Sequence, residues 1–182
     1  MRIRSATAAD IPAILGLDGS AATSAHYSEE QYRRIVAEGA SSVVSGDARS
    51  GLDPRPSVEL PIPKETGARD ELSRVVLVSE EDFEVKGFLI GRVLGTEWEI
   101  ENLVIAGDVR RRGLGRQLVS ELLTRARDRG ASRAFLEVRE SNTAARGLYE
   151  ACQFVATGRR RNYYHDPQED AVLYAKDLSS CT

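Results

Sequence analysis

Apolar residues recur along this chain at two spacings, and the switches between them mark its elements. Residues 2–4 (RIR) open as a short strand. Thr7 and Asp10 form a capping-box-like helix start with Asp in place of Glu. Ile11, Ile14 and Leu15 then share one helical face, with Pro12 in the first turn, where it is tolerated. Ser28 and Gln31 make a second capping box, followed by an apolar stripe of Tyr32, Ile35 and Val36. Residues 74–79 (RVVLVS), 85–94 (VKGFLIGRVL) and 98–105 (WEIENLVI) read as an antiparallel meander. The clearest helical period lies at 113–129. Leu114, Leu118 and Leu122 repeat at four-residue steps there, and Gly130 stands just past the end. Residues 133–138 (RAFLEV) read as a strand buried on both faces. A short helix at 141–152 opens on Ser141 or Asn142, and 154–158 and 171–175 read as the last two strands.

The period vanishes between residues 39 and 73. Four of the six prolines (Pro54, Pro56, Pro61, Pro63) fall there, among repeated Gly, Ser and Asp. A flexible, partly disordered insertion is expected, with a short docked strand as the alternative.

Composition removes whole classes of function. A length of 182 residues suits one domain, and 41% apolar residues suffice for one core. The net charge of −3 argues against wholesale nucleic-acid coating. The cysteines, Cys152 and Cys181, make no CxxC pair, and the histidines are only His26 and His165. Neither a disulfide framework nor a histidine-rich metal site is expected. No run approaches the roughly 20 apolar residues of a membrane span, and residues 1–15 lack the apolar core of a signal peptide. The expectation is a soluble cytoplasmic protein without a metal.

The strongest chemical signal is the stretch 104–116 (VIAGDVRRRGLGR), which joins a strand to a helix start. Such a start presents unpaired N–H groups and the positive end of the helix dipole. Gly113 and Gly115 let an anion approach, and Arg110, Arg111, Arg112 and Arg116 add charge. Together they suit a diphosphate. It is not a Walker A loop, since no Lys-Ser/Thr follows, nor a dinucleotide fingerprint, since the third glycine is missing. A solvated basic turn is the bland alternative.

The pattern Arg110-x-x-Gly113-x-Gly115, between a strand and a long helix, resembles motif A of the GNAT acyl-CoA N-acyltransferases. The order that follows, strand FLEV, Asn142, a helix with Leu148-Tyr149-Glu150, then Phe154, is similar to that family's core. Residues 103–178 resemble most closely the branch that acetylates the N-terminal alanine of a ribosomal protein. Residues 2–36 do so weakly, and 39–73 not at all.

The resemblance implies a single α/β (α+β) domain over 1–182: a mixed, mostly antiparallel twisted sheet flanked by helices, with the 39–73 insertion and a loose tail at 179–182. It implies acetyl-CoA as cosubstrate. Leu103, Val104 and Ile105 would hold the pantetheine arm, and Arg111, Arg112, Gly113, Leu114, Gly115 and Arg116 the pyrophosphate. Asn142 would contact the cofactor as well as cap its helix. Glu137 and Tyr149, twelve positions apart, match the family's base and acid. By strand alternation alone Glu137 would face solvent or pair with Arg139, and Tyr149 would be simple core. Residues 159–164 (RRRNYY) suggest a floor for a peptide N-terminus, with Tyr164 as the substrate-side candidate, although arginine triplets are also common solvated faces. His165 reads as a polar loop residue. His26 and Tyr27 fall where the family builds its acceptor wall.

Gln153 stands where the family usually has Gly, and the Gly107-Asp108 turn lacks the usual proline. The expected activity is acetyl transfer to a protein α-amine, the partner being a ribosomal-protein N-terminus, with no direct nucleic-acid or membrane contact, by a monomer or weak dimer. Transfer to lysine side chains or small amines, and a CoA-binding sensor without activity, are the rivals.

Overall fold

Among the described residues, seven strands form one sheet in the order β1-β2-β3-β4-β5-β7-β6. The computed structural model describes residues 1–21, 27–41 and 73–179. The strands are β1 (Arg2–Ser5), β2 (Arg74–Glu81), β3 (Glu84–Leu94), β4 (Glu97–Ile105), β5 (Arg133–Arg139), β6 (Val155–His165) and β7 (Gln168–Asp177). The helices are α1 (Ile11–Gly19), α2 (Glu29–Ser41), α3 (Leu114–Asp128) and α4 (Thr143–Ala151). All neighbouring strands are antiparallel except β4 and β5.

Two cores lie on the two faces of this sheet. On one, Leu118, Leu122 and Ala126 of α3 are wholly buried against Leu77, Leu89, Trp98, Ile100 and Leu136, while Leu114, also buried, lines the cavity described below. Burying each such leucine stabilises the fold by about 1.5–3 kcal/mol. Gly91 makes the contact possible, since a Cβ there would come within 2.6 Å of Leu122 Cδ1. On the other face, Ile11 and Ile14 of α1 and Tyr32, Ile35 and Val36 of α2 cover Val76, Val78, Phe88 and Ile90. The caps form as expected. Ser28 N–H donates to Gln31 Oε1 at 2.7 Å, and Gln31 N–H returns a bond to Ser28 Oγ at 3.3 Å. The Thr7 box opens one 3-10 turn (Ala8–Asp10) before α1 begins, with Thr7 N–H donating to Asp10 Oδ2 at 2.7 Å.

Three expectations need correction. β5 is buried on one face only: Ala134, Leu136 and Val138 point to the α3 core, whereas Phe135, Glu137 and Arg139 stay half-buried. The final hairpin is much longer than 154–158 and 171–175 suggested. Pairing with β7 carries β6 through the arginine triplet to His165, so that residue is strand rather than loop. α2 continues to Ser41, so residues 39–41 belong to a helix, and Ser73 hydrogen-bonds β3 through Val93 N–H at 2.9 Å. The rest of the expected insertion, 42–72, lies outside the described residues, as do His26, Cys181 and residues 180–182. Ser179, where the loose tail was expected to start, is tied back by its N–H to Asp177 Oδ1 at 2.8 Å. Among the described residues, no helix is long and apolar enough to cross a membrane.

Candidate active site

The parallel pair β4 and β5 holds together only from Glu97↔Arg133 to Ile100↔Leu136. At that point β4 carries an extra residue, Glu101, because Ile90 of β3 faces Asn102 while Gly91 faces Ile100. A bulge of this kind bends its strand and changes which side chains share a face. Past it, Leu103, Val104 and Ile105 run without a β5 partner, and a cavity of about 610 Å³ opens beside them. The cavity lies between the end of β4, the start of α3 and the length of α4.

The start of α3 is built for an anion. Gly113 sits at φ +85°, a left-handed conformation that glycine adopts without steric cost, and no side chain caps the helix. The first-turn N–H groups of this fifteen-residue helix therefore stay unpaired at the positive end of its dipole. Arg110, Arg111 and Arg116 line the same wall. Gly115 serves packing as well, because a Cβ there would sit 2.9 Å from Leu148 Cδ2 of α4. Its missing side chain lets the two helices close into one wall. These features fit a diphosphate-bearing ligand such as CoA.

Of the residues expected to hold that ligand, Leu103, Val104, Ile105, Arg111, Gly113, Leu114, Gly115, Arg116 and Asn142 all line the cavity. Arg112 does not; its guanidinium turns to Glu81 of β2 at 2.9 Å. Asn142 also caps α4, its side chain accepting from Ala145 N–H at 3.1 Å. Sequence reasoning missed the inner face of α4, Ala144, Ala145, Gly147 and Leu148, whose small residues leave room in the groove.

Tyr149 reaches the same cavity from the last turn of α4. Burial pushes its phenol well above the usual tyrosine value, so it stays protonated at neutral pH. The helix end fixes its position. Phe154 N–H donates to Tyr149 O at 3.0 Å and Gln153 N–H to Glu150 O at 2.9 Å, the paired bonds of a Schellman motif. The matching apolar contact is between the Phe154 and Tyr149 rings, with centroids 5.9 Å apart. Gln153, at φ +66°, holds the left-handed position where glycine is usual, and Lys176 Nζ donates to its side chain at 2.9 Å.

Glu137 lies on the other face of β5, among charged and phenolic groups. Its carboxylate pairs with Arg160 Nη2 of β6 at 3.0 Å, not with Arg139. Arg139 instead bonds Glu169 and stacks 4.2 Å over the Tyr164 ring. Glu99 of β4 shares this surface, and its carboxyl is pushed up by burial and by the neighbouring charges of Glu101 and Glu137. Nothing in the sequence singled out Glu99, because its strand reads as a plain alternation. Tyr164 stands near Glu137, while Tyr27 borders Glu101 and Glu99 and rests edge-on against Tyr32 at 5.6 Å. The structure thus sets Tyr149 in the cavity and Glu137 on the opposite face of β5, in a charged cluster with Arg160 and Glu99.

A sheet parted between the only parallel strands among the described residues, with an uncapped helix start at the parting, is the architecture of a large acyltransferase class. The model of the acetyltransferase (GNAT) family matches residues 46–154, and the chain belongs to that family. Over 100 residues it is 40% identical to the ribosomal protein bS18-alanine N-acetyltransferase of Salmonella typhimurium, covering 54% of this chain and 68% of that protein. Alignments with such curated relatives take in about two thirds of their length. The crystal structure of the Escherichia coli ribosomal-protein-alanine N-acetyltransferase superimposes with a TM-score of 0.68 at 25% identity, covering all of this chain and 96% of that one. A GNAT acetyltransferase from Elizabethkingia anophelis, solved with acetyl-CoA bound, shares the fold at a TM-score of 0.54 and 20% identity, over 58% of this chain and 76% of that one.

Proposed function

We propose that this chain transfers acetyl from acetyl-CoA to the N-terminal α-amine of a protein, the acceptor being the N-terminal alanine of a small-subunit ribosomal protein in the cytoplasm. The observation that carries the reading is a protonated phenol lining the cavity together with a carboxylate on the opposite face of the adjoining strand β5. Acetyl-CoA supplies a thioester whose acetyl carbon is open to an amine. The pyrophosphate rests on the first turn of α3 and Arg111 and Arg116, and the pantetheine arm runs along Leu103, Val104 and Ile105.

The remaining chemistry is proton accounting. An α-amine has a pKa of about 7.7–8.0, so at neutral pH most of it is ammonium without a free lone pair. Glu137 takes that proton, directly or through water, and frees the lone pair for attack. The departing sulfur takes a proton from the Tyr149 phenol, and the phenolate regains one from the attacking nitrogen, which sheds its second proton as the amide forms. Tyr164 and Tyr27 flank the charged cluster as walls for the first acceptor residues. The 40% identity to enzymes named for alanine at a ribosomal-protein N-terminus supports the choice of acceptor.

The test is acetyl-CoA with a panel of N-terminal peptides, N-blocked lysine peptides and free amines, read by mass spectrometry. Nα-acetylation of alanine-starting peptides is expected. Transfer confined to lysine side chains or small amines would overturn the acceptor, and CoA binding without turnover would overturn the enzyme.

A further inference from the structure

The β6–β7 hairpin carries an irregularity with a consequence for Glu137. Arg160 faces Ala171 and Tyr164 faces Glu169, so four steps along β6 span only two along β7. Asn162, at φ +53°, takes up the surplus, and its N–H is held by Asp170 Oδ1 at 2.8 Å. In a regular strand neighbours alternate between faces. Here the bulge turns Arg160, Tyr163 and Tyr164 together toward the Glu137–Arg139 side of β5. Arg160 reaches Glu137 at 3.0 Å and lies 5.3 Å over the Tyr163 ring. The Tyr163 phenol lies near the Glu137 carboxylate, and Arg139 covers the Tyr164 ring.

We propose that Arg160 is a positioning residue for the base: delivered by the β6 bulge, it fixes the Glu137 carboxylate in one orientation. This rests on the reading of Glu137 as the base. The other charged groups on this surface are already matched. Arg92 of β3 faces Glu99 and Glu101 of β4 at 3.7 and 3.9 Å, Arg74 of β2 bonds Glu101 at 2.8 Å, and Glu169 of β7 engages Arg139 of β5 at 3.4 Å. The phenols Tyr163 and Tyr164 of β6 complete the surroundings. Arg160 is the cation in direct ion-pair contact with Glu137 among the described residues. The planar guanidinium, 5.3 Å over the Tyr163 ring, restricts the carboxylate to one rotamer.

The experiment is steady-state kinetics on an alanine-starting peptide. In Arg160→Gln kcat falls by about 10–10² while the KM for acetyl-CoA stays at the wild-type value, the mark of a misplaced group in the chemical step. Arg160→Lys keeps the charge without the planar fork and restores only part of the loss. Wild-type kcat in a folded Arg160→Gln, or an equal rise in the acetyl-CoA KM, overturns the proposal. Glu137→Gln assayed at pH 7 tests the base separately. Wild-type turnover there removes the base and this proposal with it, whereas lost turnover there beside wild-type kcat in Arg160→Gln removes only the part given to Arg160.

Discussion

Asp10 is a small residue with a measurable share of the stability. It is only 6% exposed. Arg4 grips both its oxygens, Nη1 to Oδ2 at 2.7 Å and Nη2 to Oδ1 at 2.8 Å, and the Thr7 hydroxyl donates at 2.9 Å. The pair joins β1 to the turn before α1, and Glu80 binds the other side of Arg4 at 2.6 Å, joining β2 as well. The Arg4 bond, above all, holds the Asp10 carboxyl at about 2 against its ordinary 3.8. At roughly 1.4 kcal/mol per pH unit, that difference amounts to about 2.5 kcal/mol of stability. The sign follows from the depressed value. The contribution is complete above the unfolded-state value near 3.8 and drains away as pH falls through the folded-state value near 2. Asp10→Asn keeps the shape and removes the charge. In urea unfolding at pH 6 it should lose about 2 kcal/mol against wild type, and the gap should narrow steadily between pH 5 and pH 2. A gap below about 0.5 kcal/mol at pH 6, or one independent of pH, would refute the argument.

Tyr149→Phe keeps the ring against Phe154 but removes the proton donor, so kcat should fall by about 10²–10⁴ while calorimetry finds acetyl-CoA affinity unchanged. Glu137→Gln should lose most turnover near neutral pH and recover in part toward pH 9, where the free amine forms unaided; a wild-type pH–rate profile returns it to a structural residue. Gly115→Glu places a side chain against Leu148 and a negative charge at the anion site, so a folded variant should show no CoA binding by calorimetry. Leu122→Ala should cost about 2–5 kcal/mol in chemical denaturation. Adding Gly91→Ala should restore part of that loss, since the new methyl enters the space that Leu122 vacates.

How much of this was readable from the sequence depended on whether one face of an element is dry. The α3 stripe was legible because every fourth residue is buried, and the anion loop because two glycines and a run of arginines at a helix start have few other uses. β6 was not legible past Gly158. An edge strand wet on both sides has no apolar period, and its arginines read like any solvated run. The single-sided burial of β5 was hidden for the converse reason, since Ala134, Phe135 and Leu136 look apolar on both faces while the exposure of Phe135 depends on where the distant hairpin lies. The bulge at Glu101 left no mark either, because WEIENLVI is a plausible unbroken strand. The direction of Arg112 was equally invisible, being set by Glu81, thirty-one residues earlier.

The strand order leaves β1 and β6 at the margins of the sheet. Marginal strands offer a row of unused backbone donors and acceptors, and another chain can add itself there, which is how sheets aggregate. β1 is only four residues long and carries Arg2 and Arg4. β6 is eleven residues long, a far more inviting template, yet it carries Arg159, Arg160 and Arg161 in succession and a bulge beyond them. A second copy docking edge to edge would bring like charges together and meet a strand that no longer runs straight. The arginine run that brings Arg160 to Glu137 thus also guards this eleven-residue margin against polymerising, so neutralising all three at once would cost solubility as well as turnover.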